Sequence, residues 1–120
     1  MSRTATAPTH PLFGDEALSH VAARFRVLGD PTRLRILNTL MQGEHAVGEL
    51  CEVTGLEQSN VSRHLSVLRR EGMVARRSDG TRALYRIDDP TVEKLCEIVC
   101  GGLEGRHRQI VAGLPRRRRR

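Results

Sequence analysis

Between Val47 and Leu68 the chain runs through a helical spacing of apolar residues twice, with only a short break between the runs. Val47, Leu50 and Cys51 form an inward stripe on a short helix predicted over about 46–53. Leu56, Val61, Leu65 and Leu68 form another for a helix predicted over about 58–70. Thr54-Gly55 lies between them, and glycine readily takes the left-handed conformation that so tight a reversal requires. Two helices joined in this way share one apolar core, and the second turns its N-terminal end outward. That end carries Gln58, Ser59, Asn60, Ser62, Arg63 and His64. Short polar side chains there can enter a major groove and reach base edges, while a helix N-terminus and serine hydroxyls hold phosphates.

The rest of the chain frames this pair. Asp15 and Glu16 favour a helix start, followed at helical spacing by Leu18, Val21, Ala22, Phe25 and Leu28 and closed by Gly29. Asp30-Pro31 opens a second helix, with Leu34, Ile36, Leu37, Leu40 and Met41 on its apolar face and Gly43 at its end. After Gly72 the period changes. MVARRS and RALYRI are short β-compatible runs around Asp79-Gly80, a hairpin signal. Asp89-Pro90 begins a last helix with the stripe Val92, Leu95, Val99 and Leu103, whose end Gly101, Gly102 and Gly105 weaken. The organisation predicted is a flexible N-terminal arm over 1–13, one folded domain over 14–105 that carries the polar helix end, and a basic C-terminal tail over 106–120.

A chain of 120 residues holds one modest core and leaves no room for a separate catalytic domain. With no Trp, one Tyr and two Phe, that core must be built from Leu, Val, Ile and Ala. Five arginines at 116–120 account for most of the net charge of +6, leaving +1 for the rest. That remainder is uneven: 57–87 carries seven Arg against three acids, whereas 88–100 carries four acids against Lys94. A basic excess confined to one segment points to a polyanion site more firmly than a high isoelectric point does. No nucleophile elbow, phosphate loop or carboxylate pair suggests an enzyme. No apolar run is long enough for a signal peptide or membrane span, and three cysteines fit reduced thiols in a cytoplasmic protein.

The stretch VGELCEVTGLEQSNVSRHLSVLRREGMV, with FRVLGDPTRLRILNTL before it and RRSDGTRALYRI after it, resembles the ArsR/SmtB family of winged-helix repressors over about 18–103. The resemblance implies a mostly α winged helix-turn-helix fold: about five helices plus a two-stranded antiparallel β-hairpin wing. It also implies a homodimer joined through its first and last helices, bound to double-stranded operator DNA as an inverted repeat and released by an inducer. Arg76, Arg77 and Arg82 flank the wing tip, where such proteins place Arg77-like and Arg82-like residues along phosphates or in the minor groove. Winged helices that bind only proteins keep the core pattern without polar readers. The run Arg116–Arg120 either adds non-specific DNA affinity or is a solvated tail.

Inducer sites differ among family members and carry over only where ligands match. A cysteine pair on the first helix of the turn motif is met here by Cys51 alone, since Glu52 and Val53 follow it. Cys51 therefore reads as packing, with a part as third ligand left open. A zinc site of Asp and His on the last helix is met by Asp88 and Asp89, but 88–106 contains no His. That helix instead carries Cys96 and Cys100 at i and i+4, where Cβ atoms lie about 5–6 Å apart. A direct disulfide wants about 3.5–4.5 Å, so a bridging soft metal, a metalloid or a polysulfide fits better. No cofactor is required for folding; a soft metal or metalloid inducer at Cys96 and Cys100 is the favoured reading. The alternatives are a persulfide- or redox-responsive repressor using the same thiols, a constitutive DNA binder with structural cysteines, or a thiol-redox protein acting on partners. His10, His20, His45, His64 and His107 have no metal-ligand spacing, and His64 reads as a DNA contact or a support for the reading helix.

Overall fold

Asp30 separates the first two helices by capping the second. Its Oδ1 accepts the backbone N–H groups of Thr32 and Arg33 at 2.8 and 3.1 Å, two of the donors that a helix start leaves without partners. These bonds, that to Arg33 foremost, hold the Asp30 carboxyl below its usual range. In the computed structural model, which describes residues 12–112, the two helices are α1 (Asp15–Leu28) and α2 (Pro31–Leu40). A short strand β1 (His45–Ala46) leads into α3 (Val47–Thr54), whose Glu49 reaches back to accept the Ala46 N–H at 2.7 Å. Gly55 ends α3 at φ +73°, the left-handed conformation expected of it. Then come α4 (Gln58–Arg70), β2 (Val74–Asp79), β3 (Arg82–Ile87) and α5 (Pro90–Ala112).

The wing is antiparallel, with register running from Val74 opposite Ile87 to Asp79 opposite Arg82. Gly80, at φ +65°, turns the tip. The sheet has three strands rather than the two of the expected hairpin, because β1 pairs with β3 through His45–Tyr85 and Ala46–Leu84. This third strand ties the wing base to the start of α3. No helix among the described residues is long and apolar enough to cross a membrane.

Ile36, Leu37, Leu50, Val61, Leu65, Leu68 and Met73 are completely buried, and the one buried aromatic among the described residues is Tyr85. The apolar stripes of the outer helices behave differently. Leu18, Val21 and Phe25 of α1 are 40–57% exposed, and Ile98, Val99 and Leu103 of α5 are 49–72% exposed. The chain by itself leaves these faces uncovered. Helix α5 also continues through Gly101, Gly102 and Gly105 to Ala112, so the domain boundary expected at 105 falls inside it. Most of the expected arm, and Arg116–Arg120, lie outside the described residues.

Candidate nucleic-acid interface and thiol groove

Helix α4 is anchored from one side by Val61, Leu65 and Leu68, which fixes what its other side shows. Gln58, Ser59 and Arg63 are exposed, whereas Asn60, Ser62 and His64 are half-buried. Arg63 donates to Asn60 Oδ1 at 3.2 Å, pairing two of the candidate readers. His64 faces α2: its Nδ1 lies 3.3 Å from Arg33 Nη1. A guanidinium only donates, so Nδ1 is the acceptor in this contact. Arg33 also donates through Nε to the Val27 carbonyl at 2.8 Å. His64 thereby joins α4 to the α1–α2 junction.

At the wing, Arg77 donates through Nε and Nη2 to both carboxylate oxygens of Glu44, at 2.7 and 2.8 Å. This bidentate pair holds the Glu44 carboxyl below its usual range and raises Arg77 further. Arg82 has only a 4.0 Å approach to Asp79, with both side chains more than half exposed, and such a surface pair constrains little. Arg76 is exposed. Sequence reasoning missed Arg33 and Glu44, because each acts on a residue more than 30 positions away and no local pattern marks such a partnership.

Cys96 and Cys100 line one open groove of about 600 Å³ between α2 and α5, walled also by Leu34, Met41 and Val53. Arg35 crosses the α2–α3 side by donating to the Val53 carbonyl at 3.3 Å. Cys96 is half-buried and Cys100 exposed. Burial pushes the Cys96 thiol up, and charge on Cys100 adds to the effect. Cys51 packs against the core and is absent from this groove. Among the described residues no three His, Cys, Asp or Glu side chains group as a metal cage.

A helix-turn-helix with an outward polar end on its second helix, backed by a basic three-stranded wing, defines a winged helix-turn-helix DNA-binding domain. The family of bacterial regulatory proteins called arsR matches residues 30–76. The probable mercury resistance operon repressor of Streptomyces lividans is 41% identical over 93 residues, 77% of this chain and 69% of that protein. The chain belongs to the arsR family. The HTH-type transcriptional regulator Rv0081 of Mycobacterium tuberculosis is 44% identical over 75 residues, 62% of this chain and 66% of its own length. Its crystal structure superposes with a TM-score of 0.73 at 37% identity, covering 82% of this chain and 99% of that one. A homodimeric winged helix-turn-helix DNA-binding domain from Mycobacterium bovis, solved by NMR, gives a TM-score of 0.72 at 33% identity, covering 78% and 87%.

Proposed function

We propose that this protein is a cytoplasmic homodimeric repressor that binds an inverted-repeat operator through α4 and the wing. A soft thiophilic inducer joining Cys96 to Cys100 then releases it. The observation that carries the reading is the placement of both thiols on α5. They line a groove against α2, on the helix whose Ile98, Val99 and Leu103 are left uncovered. The homodimeric neighbour supports a dimer over the uncovered faces of α1 and α5, and the mercury repressor supports a soft inducer. A divalent soft ion would displace two thiol protons, whereas arsenite would lose two hydroxyls as water. A ligand binding both dimer geometries equally would release nothing, so the bridged form must disfavour the DNA-bound one.

The test is fluorescence anisotropy on duplexes from the protein's own promoter region. Replacing Ser62, Arg63 and His64 together by Ala is expected to abolish sequence preference, with about 1–3 kcal/mol lost for each good base contact. The Cys96→Ser/Cys100→Ser variant is expected to bind as wild type and resist release by arsenite, mercury(II) or cadmium(II). Unchanged preference in the first variant removes α4 as the reader. Release of the second by every agent, as readily as wild type, removes the thiol sensor. Persulfide donors form the competing arm, with mass spectrometry distinguishing a sulfur bridge from a bound metal.

A further inference from the structure

One guanidinium joins three helices. Arg24, in the middle of α1, donates through Nη1 to the backbone carbonyl of Glu71 at 3.0 Å and through Nη2 to Asp89 Oδ2 at 2.7 Å. Glu71 is the residue that ends α4, so the arginine meets a carbonyl at the negative end of the reading helix. Asp89 immediately precedes α5, and its other oxygen, Oδ1, accepts the N–H of Thr91 at 2.9 Å as well as the Thr91 hydroxyl. Arg24 and Asp89 are half-buried, with 37% and 25% side-chain exposure, and the groove beside them is floored by Leu28 and Val92. With both bonds formed, Arg24 points its charge inward at two fixed acceptors.

We infer that Arg24 is a positioning residue for DNA recognition, setting the angle between the α1/α5 dimer-forming pair and the reading helix α4. The inference rests on the dimer and operator reading above and adds to it a residue that touches neither DNA nor inducer. In a two-fold dimer, that angle fixes the separation of the two reading helices and hence the half-site spacing they accept. Each added base pair moves a half-site by about 3.4 Å and about a tenth of a turn. A hinge loosened at Arg24 therefore blurs spacing before it affects contact with a single half-site.

The experiment uses the full chain and duplexes selected by the wild-type protein from a random library. Operators of selected spacing, operators lengthened or shortened by one base pair, and single half-sites are titrated by anisotropy, alongside thermal unfolding. Arg24→Ala is expected to weaken full-operator binding roughly 5- to 100-fold and to lose most of the preference for the selected spacing. Half-site binding should stay at wild-type strength. Asp89→Ser keeps a helix-capping oxygen and removes the carboxylate, so it is expected to reproduce the effect even if Arg24→Ala is too unstable to study. Arg24→Lys should restore part of the spacing preference, because an ammonium can still reach one acceptor. The proposal is overturned if both variants keep wild-type spacing preference, or if half-site and full-operator binding fall together. A wild-type protein that selects no duplex removes the operator reading itself, a separate outcome visible before any variant is made.

Discussion

Arg77 commits two donors to Glu44 at 2.7 and 2.8 Å, so its charge is already partly neutralised, whereas Arg82 has only the exposed 4.0 Å approach to Asp79. Glu44→Gln is expected to tighten binding to DNA of any sequence and to steepen the salt dependence by about 0.9 in log–log slope, the equivalent of one phosphate contact. Arg82→Ala is expected to flatten it. Anisotropy titrations over a salt series check both, and an unchanged slope in Glu44→Gln would place Arg77 away from phosphate. Residue by residue, the site was legible to the extent that helical periodicity decides exposure. Val61, Leu65 and Leu68 are buried, so Gln58, Ser59 and Arg63 must face out. Periodicity is silent on partners brought in by the fold, which is why the anchoring of His64 by Arg33 emerges only in three dimensions.

Helices with caps and breakers were readable as elements because each boundary has a local cause: Asp30 and Pro31 for α2, Gly55 for the end of α3. Strand β1 was not, since two residues cannot show a period, and its pairing depends on β3 forty positions downstream. Asp30 gives a pH test of the capping. Its carboxyl is depressed by the N–H groups it accepts, so the stability it contributes is full above the ordinary Asp value near about 3.9 and is lost as pH falls through the lower folded value. Asparagine caps comparably without titrating. Asp30→Asn is thus expected to unfold in urea much like wild type at neutral pH and to lose less stability below about pH 4, as a midpoint series across pH would show. Helix α5 offers a second test. A Cβ at Gly102 meets nothing within 4 Å, so Gly102→Ala should stabilise the helix by about 1 kcal/mol, read as a higher unfolding temperature. Weakened dimerisation in sedimentation would instead show that a partner backbone approaches that position.

At the scale of the whole molecule, the thiols and the uncovered Ile98, Val99 and Leu103 share one helix, α5, so under the proposed reading a ligand joining the thiols acts on a helix that a partner chain would cover. The two thiols are not equivalent: Cys100 is exposed, while burial raises Cys96 above the ordinary thiol value. Iodoacetamide should therefore label Cys100 first, with labelling of Cys96 rising only at more alkaline pH, as peptide mass spectrometry would resolve. Cys51, half-buried against the core as Cys96 is, should also label after Cys100. The same asymmetry separates classes of inducer. Cadmium(II) must expel a proton from each thiol, so its affinity should climb on the order of tenfold per proton for each pH unit below the thiol values. Arsenite takes both thiols while losing two hydroxyls, and the protons leave as water; its affinity should be nearly flat over the same range. Operator release measured at several pH values thus reports how many thiol protons the ligand sets free. Cadmium-driven release with no pH dependence would mean that Cys96 and Cys100 are not its ligands, and would return both to the role of packing residues.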